Sequence, residues 1–141
     1  PESKNSMTDP QIKVIKDIPI AYVAKKGFPS IVAGKAFFEL EQKVPLQGNK
    51  FFGIFDENKN EYRACVAITE ENKDIIRNFD KSIIPGGSYA YVVLTGNYND
   101  ILCRIKPALD LLIEKYKRDL LRSNVEFYKR HTEVYVMLPI V

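Results

Sequence analysis

The sequence predicts an α+β fold built from two β-α-β-β halves, and three observations carry that prediction. "AYVAKKGFPSIV" from Ala21 and "AYVVLTGNYNDIL" from Ala90 share Ala-Tyr-Val, three residues, a glycine and then a helical run, the mark of an internal repeat. Each helical run is followed by two strand-like segments with turn-forming residues between them. Two copies are too few to stack as an array. The repeat therefore reads as a pseudo-dimer within one chain.

The opening "PESKNSMTDP" lacks an apolar h-region, so it is no signal peptide, and residues 1–10 are expected to be a disordered lead-in. A single domain is expected over 11–141, its halves at 11–69 and 85–141. A first strand over Ile12–Lys25 leads to a helix that starts at Pro29. Ala33, Phe37, Leu40 and Val44 recur there at helical spacing, and Pro45 ends it. "KFFGIFDE" and "EYRACVAIT" then form a strand pair turning through "DENKN". "EENKDIIRNFDKSIIPGG" crosses over, and Pro85-Gly86-Gly87 launches the second half with a strand at Ser88–Thr95. The second helix has a stripe of Ile101, Ile105, Leu109, Leu112 and Tyr116, widened by Leu102, Ala108 and Ile113. Asn99 and Asp100 suit its start, and Pro107 lies off the stripe, which predicts a kink towards solvent. "VEFYKR" and "EVYVMLPI" close the second half. Halves related by a pseudo-twofold would share one antiparallel sheet, with two helices on one face and a ligand cleft on the other.

Composition narrows the function. The chain has 141 residues and a net charge of +3, too small a charge to drive nucleic-acid binding. Its basic residues are scattered rather than arranged in a stripe. No apolar run approaches the ~20 residues of a membrane helix, so no membrane partner and a cytoplasmic location are expected. Cys65 and Cys103 sit in apolar runs, which predicts reduced, core-packed thiols. His131, the single histidine, falls in a hairpin turn. No Cys/His spacing fits zinc, no glycine loop fits a phosphate, and no cofactor is expected.

The chemistry is expected on alternating strand positions, since residues two apart share a face. Tyr89 and Tyr91 form one such pair, Glu126 and Tyr128 a second, and Glu133 and Tyr135 a third. Tyr22 holds the place of Tyr91 in the first half, and Phe52 the place of Glu126. Val125 and Phe127 are expected to point into the helix-covered core. A carboxylate among tyrosines suits a flat lipophilic cation, which the ring faces and the charge both attract. The same groups suit hydrolysis, with Glu126 as general base.

"IPGGSYAYVVLTGNYNDIL", then "VEFYKR" and "TEVYVMLPI", resemble the GyrI-like effector-binding domain, found in multidrug-responsive transcription activators and in gyrase-inhibitor-like proteins. The resemblance covers about Gln11 to Val141. It implies a duplicated β-α-β-β fold and an aromatic pocket with a glutamate at its base, here Glu126, with Tyr128 from the same motif. Tyr22, Phe52, Tyr89, Tyr91 and Tyr135 join them by strand alternation. The "KRHT" link is shorter than in the family, and the tryptophan frequent on the second helix is absent. The sequence thus predicts a stand-alone module that binds a small organic ligand, lipophilic and cationic or aromatic, for sensing or sequestration, without touching nucleic acid itself. Hydrolysis of strained or electrophilic small molecules by Glu126 and Tyr128 is one alternative. A protein partner, either a regulator or a topoisomerase that the chain inhibits, is the other.

Overall fold

The computed structural model describes residues 5–141. In chain order the elements are β1 (Ser6–Met7), β2 (Gln11–Ile15), β3 (Ile18–Lys26), α1 (Pro29–Glu41), β4 (Phe51–Asp56), β5 (Glu61–Ala67), β6 (Asp80–Ile84), β7 (Gly87–Thr95), α2 (Tyr98–Lys115), β8 (Val125–Arg130) and β9 (Glu133–Pro139). They form two compact units. The first covers Lys16–Gly86, and the second joins Gly87–Val141 to the chain before Lys16. Each contains the same β-α-β-β series, β3-α1-β4-β5 and β7-α2-β8-β9, and the strand ladders within each unit are antiparallel. The α+β class and the duplication are as the sequence predicted.

In the first unit the strand order is β4-β5-β3-β6, and α1 packs on β5 and β3. Val32, Ala36 and Leu40 form its buried stripe, so Leu40 and the buried Val44 of the expected stripe hold while its first half turns by one residue. Ala33 and Phe37 lie at the margin of that stripe. Phe37 meets the fully buried Tyr62 of β5 edge-on, with ring centroids 6.1 Å apart. No side chain caps α1; Pro29 opens it after an extended Phe28.

In the second unit β7 is flanked by β9 on one side and by β1 and β2 on the other, and β8 lies outside β9. α2 packs on β9 and β7. Ile101, Ala108 and Leu112 of α2 close over Ala90, Val92 and Leu94 of β7 and over Val134, Val136 and Leu138 of β9. Asn97 caps α2, its side chain accepting the Asn99 N–H at 3.0 Å, while Asp100 and Lys115 sit where the helix dipole favours their charges. The cap is thus two residues earlier than expected. Pro107 stays inside one helix over Tyr98–Lys115.

The repeated glycines have a backbone reason. Gly27 and Gly96 end β3 and β7 with φ of +128° and +137°, values that L side chains rarely adopt. A Cβ on Gly96 would lie 2.1 Å from the Asn5 Oδ1 atom.

Three boundaries differ from the expectation. Ser6–Met7 pairs with Leu94 and Thr95, so the expected lead-in contains a paired strand; residues 1–4 lie outside the described residues. Gln11–Ile15 pairs with β7 and belongs to the second unit rather than the first. The crossover contains β6, an edge strand on β3. Cys65 is buried, but Cys103 is exposed on α2, because the apolar run around it is wider than the face the sheet covers.

Candidate functional site

Cross-strand register decides which side of the sheet each candidate occupies, because directly opposed residues point the same way. Glu126 opposes Val136, and Tyr128 opposes Val134. Both valines belong to the core beneath α2. Glu126 and Tyr128 are therefore on the α2 side, and Tyr128 packs against that core together with Ile105, Leu109 and Tyr116. Val125 and Phe127, expected in the helix-covered core, point to the opposite face. Phe127 opposes Tyr135, and Val125 opposes Met137.

Tyr89, Tyr91 and Tyr135 lie on that opposite face, away from α2, so the expected grouping with Glu126 does not form. Here each ring already has a cation of this chain. The Lys13 Nζ atom sits 4.8 Å from the centre of the Tyr91 ring and 5.0 Å from that of Tyr135. Those two rings stack at 5.7 Å and 14°. The Tyr91 hydroxyl also donates to Gln11 at 3.0 Å. Tyr89 is wholly buried, with the Arg122 guanidinium 4.9 Å from its ring centre. The first unit repeats the pattern: Tyr22 carries Arg63 at 4.4 Å, and Phe52, buried, opposes Cys65 on the same side as Tyr22. Burial alone would lower the Arg63 pKa, but the hydrogen bond to Glu61 at 2.9 Å and the neighbouring Tyr22 leave it raised. Tyrosines that alternation marked as a cation site are thus covered by the protein's own Lys and Arg side chains.

Counted back from the hairpin turn, Tyr128 matches Phe55 and Glu126 matches Gly53, not Phe52. At these places the first unit offers a glycine and a phenylalanine that contacts Phe28 at 6.3 Å. The second unit offers a carboxylate and a phenol, and the Tyr128 hydroxyl donates to the Glu126 Oε1 atom. A charge-assisted bond of this kind fixes the carboxylate's orientation. Both residues are half-buried.

The helix beside them supplies an apolar wall. At 3.6 residues per turn, Leu102, Ile105, Leu109, Ile113 and Tyr116 share one flank of α2. Arg104 marks the other flank, donating to the carbonyls of Ser6 at 3.0 Å and Thr95 at 2.6 Å, both on the β1–β7 edge. The apolar flank therefore faces towards β8. Leu102 is 41% exposed and Ile113 38%, so the wall continues beyond the packed core. In the sequence these two residues only widen the core stripe, and their place on the β8 flank follows from Arg104 holding the opposite flank against β1 and β7.

No protein-family model matches the sequence, and no curated protein matches it. Solved structures do match in shape. An integron cassette protein from the mobile metagenome of Vibrio cholerae superposes with a TM-score of 0.72 at 11% identity, over 97% of this chain and 99% of that one. SAV2435 bound to tetraphenylphosphonium superposes at 0.65, with 11% identity over 95% and 94%. The C-terminal domain of EcmrR superposes at 0.63, with 15% identity over 94% and 97%. The chain shares the fold of these proteins, in keeping with the duplicated β-α-β-β fold that the GyrI-like resemblance implies. Among the described residues no helix is long and apolar enough to cross a membrane.

Proposed function

We propose that the chain is a binding module for lipophilic small molecules that are cationic or aromatic, serving as a sensor or by sequestration. Its site is the corner between the apolar flank of α2 and strand β8. Glu126 supplies negative charge, Tyr128 orients that carboxylate and offers a ring, and Leu102, Ile105, Leu109 and Ile113 supply the apolar surface. The observation that carries this reading is the hydrogen-bonded Glu126–Tyr128 pair on the helix side, beside an apolar flank that the core does not fully use. The likeness in fold to a protein bound to tetraphenylphosphonium makes that cation a rational first probe.

A half-buried carboxylate draws a lipophilic cation for two reasons. The ion is poorly hydrated, so moving it out of water is inexpensive, and the charge attraction strengthens as the local dielectric falls. A thermal-shift series with tetraphenylphosphonium and the neutral triphenylphosphine oxide tests the reading. At a hundred times the dissociation constant a ligand stabilises by ~2.7 kcal/mol, a shift of several degrees. The cation is expected to raise the Tm of wild type, the neutral molecule to raise it less, and Glu126→Gln to narrow the difference. Equal shifts for both ligands in both proteins would remove Glu126 from the site. Loss of a bound ester or epoxide from solution, abolished by Glu126→Gln, would instead favour general-base hydrolysis.

A further inference from the structure

Between α2 and β8 the chain turns through "KYKRDLLRSN", and this turn presents its two leucines outward. Leu120 is 83% exposed and Leu121 96%. Single exposed apolar residues are ordinary, but this pair is adjacent and held rigidly. The Asp119 N–H donates to the Pro139 carbonyl at 2.9 Å, and the Leu121 N–H donates to the Asp119 side chain at 2.9 Å. Arg122 donates to Asp119 at 2.8 Å and to the Ile140 carbonyl at 2.8 Å. The chain end is tied to the same place, with the Val141 N–H on the Lys117 carbonyl at 3.0 Å and the Val141 side chain 78% exposed. The structure thus fixes three apolar side chains where they gain nothing from folding.

The charges around them are mostly positive. Lys115, Lys117, Arg118 and Arg122 against Asp119 leave +3 across these eight residues, equal to the net charge of the whole chain. Glu114, one residue earlier on α2, is the nearest acidic neighbour in sequence outside the turn. Arg122 is committed to Asp119, whereas Lys115 and Lys117 are exposed.

We propose that this turn is a docking tip for an anionic lipid surface. Leu120 and Leu121 enter the interface, and the exposed Lys115 and Lys117 lie against the headgroups. A projecting apolar pair with exposed lysines close by in the same turn matches the layered chemistry of such a surface, apolar below and negative above. A surface contact of this kind needs no spanning segment, so it departs from the sequence-level expectation of no membrane partner. The inference is independent of the proposed ligand site, as it uses none of that site's residues.

Co-sedimentation of the full chain with vesicles decides it, using pure phosphatidylcholine against a mixture containing about a third phosphatidylserine. Binding is expected to the anionic vesicles and to weaken as salt rises. Leu120→Ser/Leu121→Ser is expected to reduce it tenfold or more, since each leucine loses its transfer into an apolar phase, with the Tm unchanged. Lys115→Glu/Lys117→Glu is expected to abolish the preference for anionic lipid. Absence of binding at millimolar lipid overturns the proposal, as does binding that the leucine variant leaves intact. Sedimentation velocity supplies the remaining outcome. Wild type that self-associates only through the two leucines, with no vesicle binding, would make a second copy the occupant and refute the lipid.

Discussion

The two units follow one plan and use it differently. In both, a strand ends on a positive-φ glycine, a helix covers the next strands, and a tyrosine on the far face lies beneath an arginine or lysine. They diverge where the strand after the helix comes level with the helix flank. The first unit has Gly53 and Phe55 there, and the second has Glu126 and Tyr128. One scaffold occurs twice, and at this place the carboxylate and the phenol belong to the second copy. Tyrosines under a cation occur in both units, while at the place of the Glu126–Tyr128 pair the first unit has Gly53 and Phe55.

The largest expected effect concerns what both units need. Leu40 and Leu112 are fully buried and hold α1 and α2 to their strands. Leu40→Ala and Leu112→Ala should each cost about 2–5 kcal/mol in urea or thermal unfolding. The comparison sharpens if Leu112→Ala alone also weakens ligand binding, because only α2 walls the proposed site. A middle-sized effect tests the helix starts. Asn97→Ala should cost about 1 kcal/mol through the lost cap, whereas Phe28→Ala has no cap to lose and acts only through its contact with Phe55. Near-equal losses by way of helix fraying, read by amide exchange over the first turns, would break the distinction.

The smallest effect depends on pH. Hydrogen bonds from Arg122, then from the Leu121 N–H, hold the Asp119 carboxyl below the usual carboxylate range. Its stabilising contribution is fully present above the ordinary value near ~3.9 and is lost as pH falls through the depressed folded value. Burial alone would lower the Arg122 pKa, but Asp119 and Tyr89 leave it raised, so the arginine keeps its charge throughout. Wild type should therefore lose Tm more steeply below about pH 4 than Asp119→Asn does, and parallel curves would remove Asp119 from the acid response.

Much of the fold was legible because its cues are local. The repeated glycine, the helical spacing after Pro29 and Asn97, and the strand pairs with their turns all lie within a few residues of the structure they specify. Partners distant in sequence were less legible. Gln11–Ile15 looks like a continuation into β3, yet its ladder is with β7, and β6 was hidden in a charged linker because an edge strand carries few apolar residues. Alternation put Glu126 and Tyr128 on one face, as the register does, but assigned that face to the side away from the helices, whereas it is the α2 side. A period of two says which residues share a face and nothing about which face a helix covers, and a slip of one residue reverses it. Tyrosine added to the error. Its ring packs under Arg63, Arg122 or Lys13 as readily as it lines a pocket, and no spacing rule tells the two uses apart.

The central claim, that ligand binding belongs to the helix-side pair and not to the tyrosines beneath cations, is tested most directly by titration calorimetry of tetraphenylphosphonium. Three proteins suffice: wild type, Glu126→Gln and Tyr135→Leu. The account expects Glu126→Gln to weaken binding about tenfold, a loss of ~1.4 kcal/mol, and Tyr135→Leu to leave the affinity within about twofold of wild type. The opposite order, with affinity lost in Tyr135→Leu and kept in Glu126→Gln, would contradict it and move the site to the far face of the sheet.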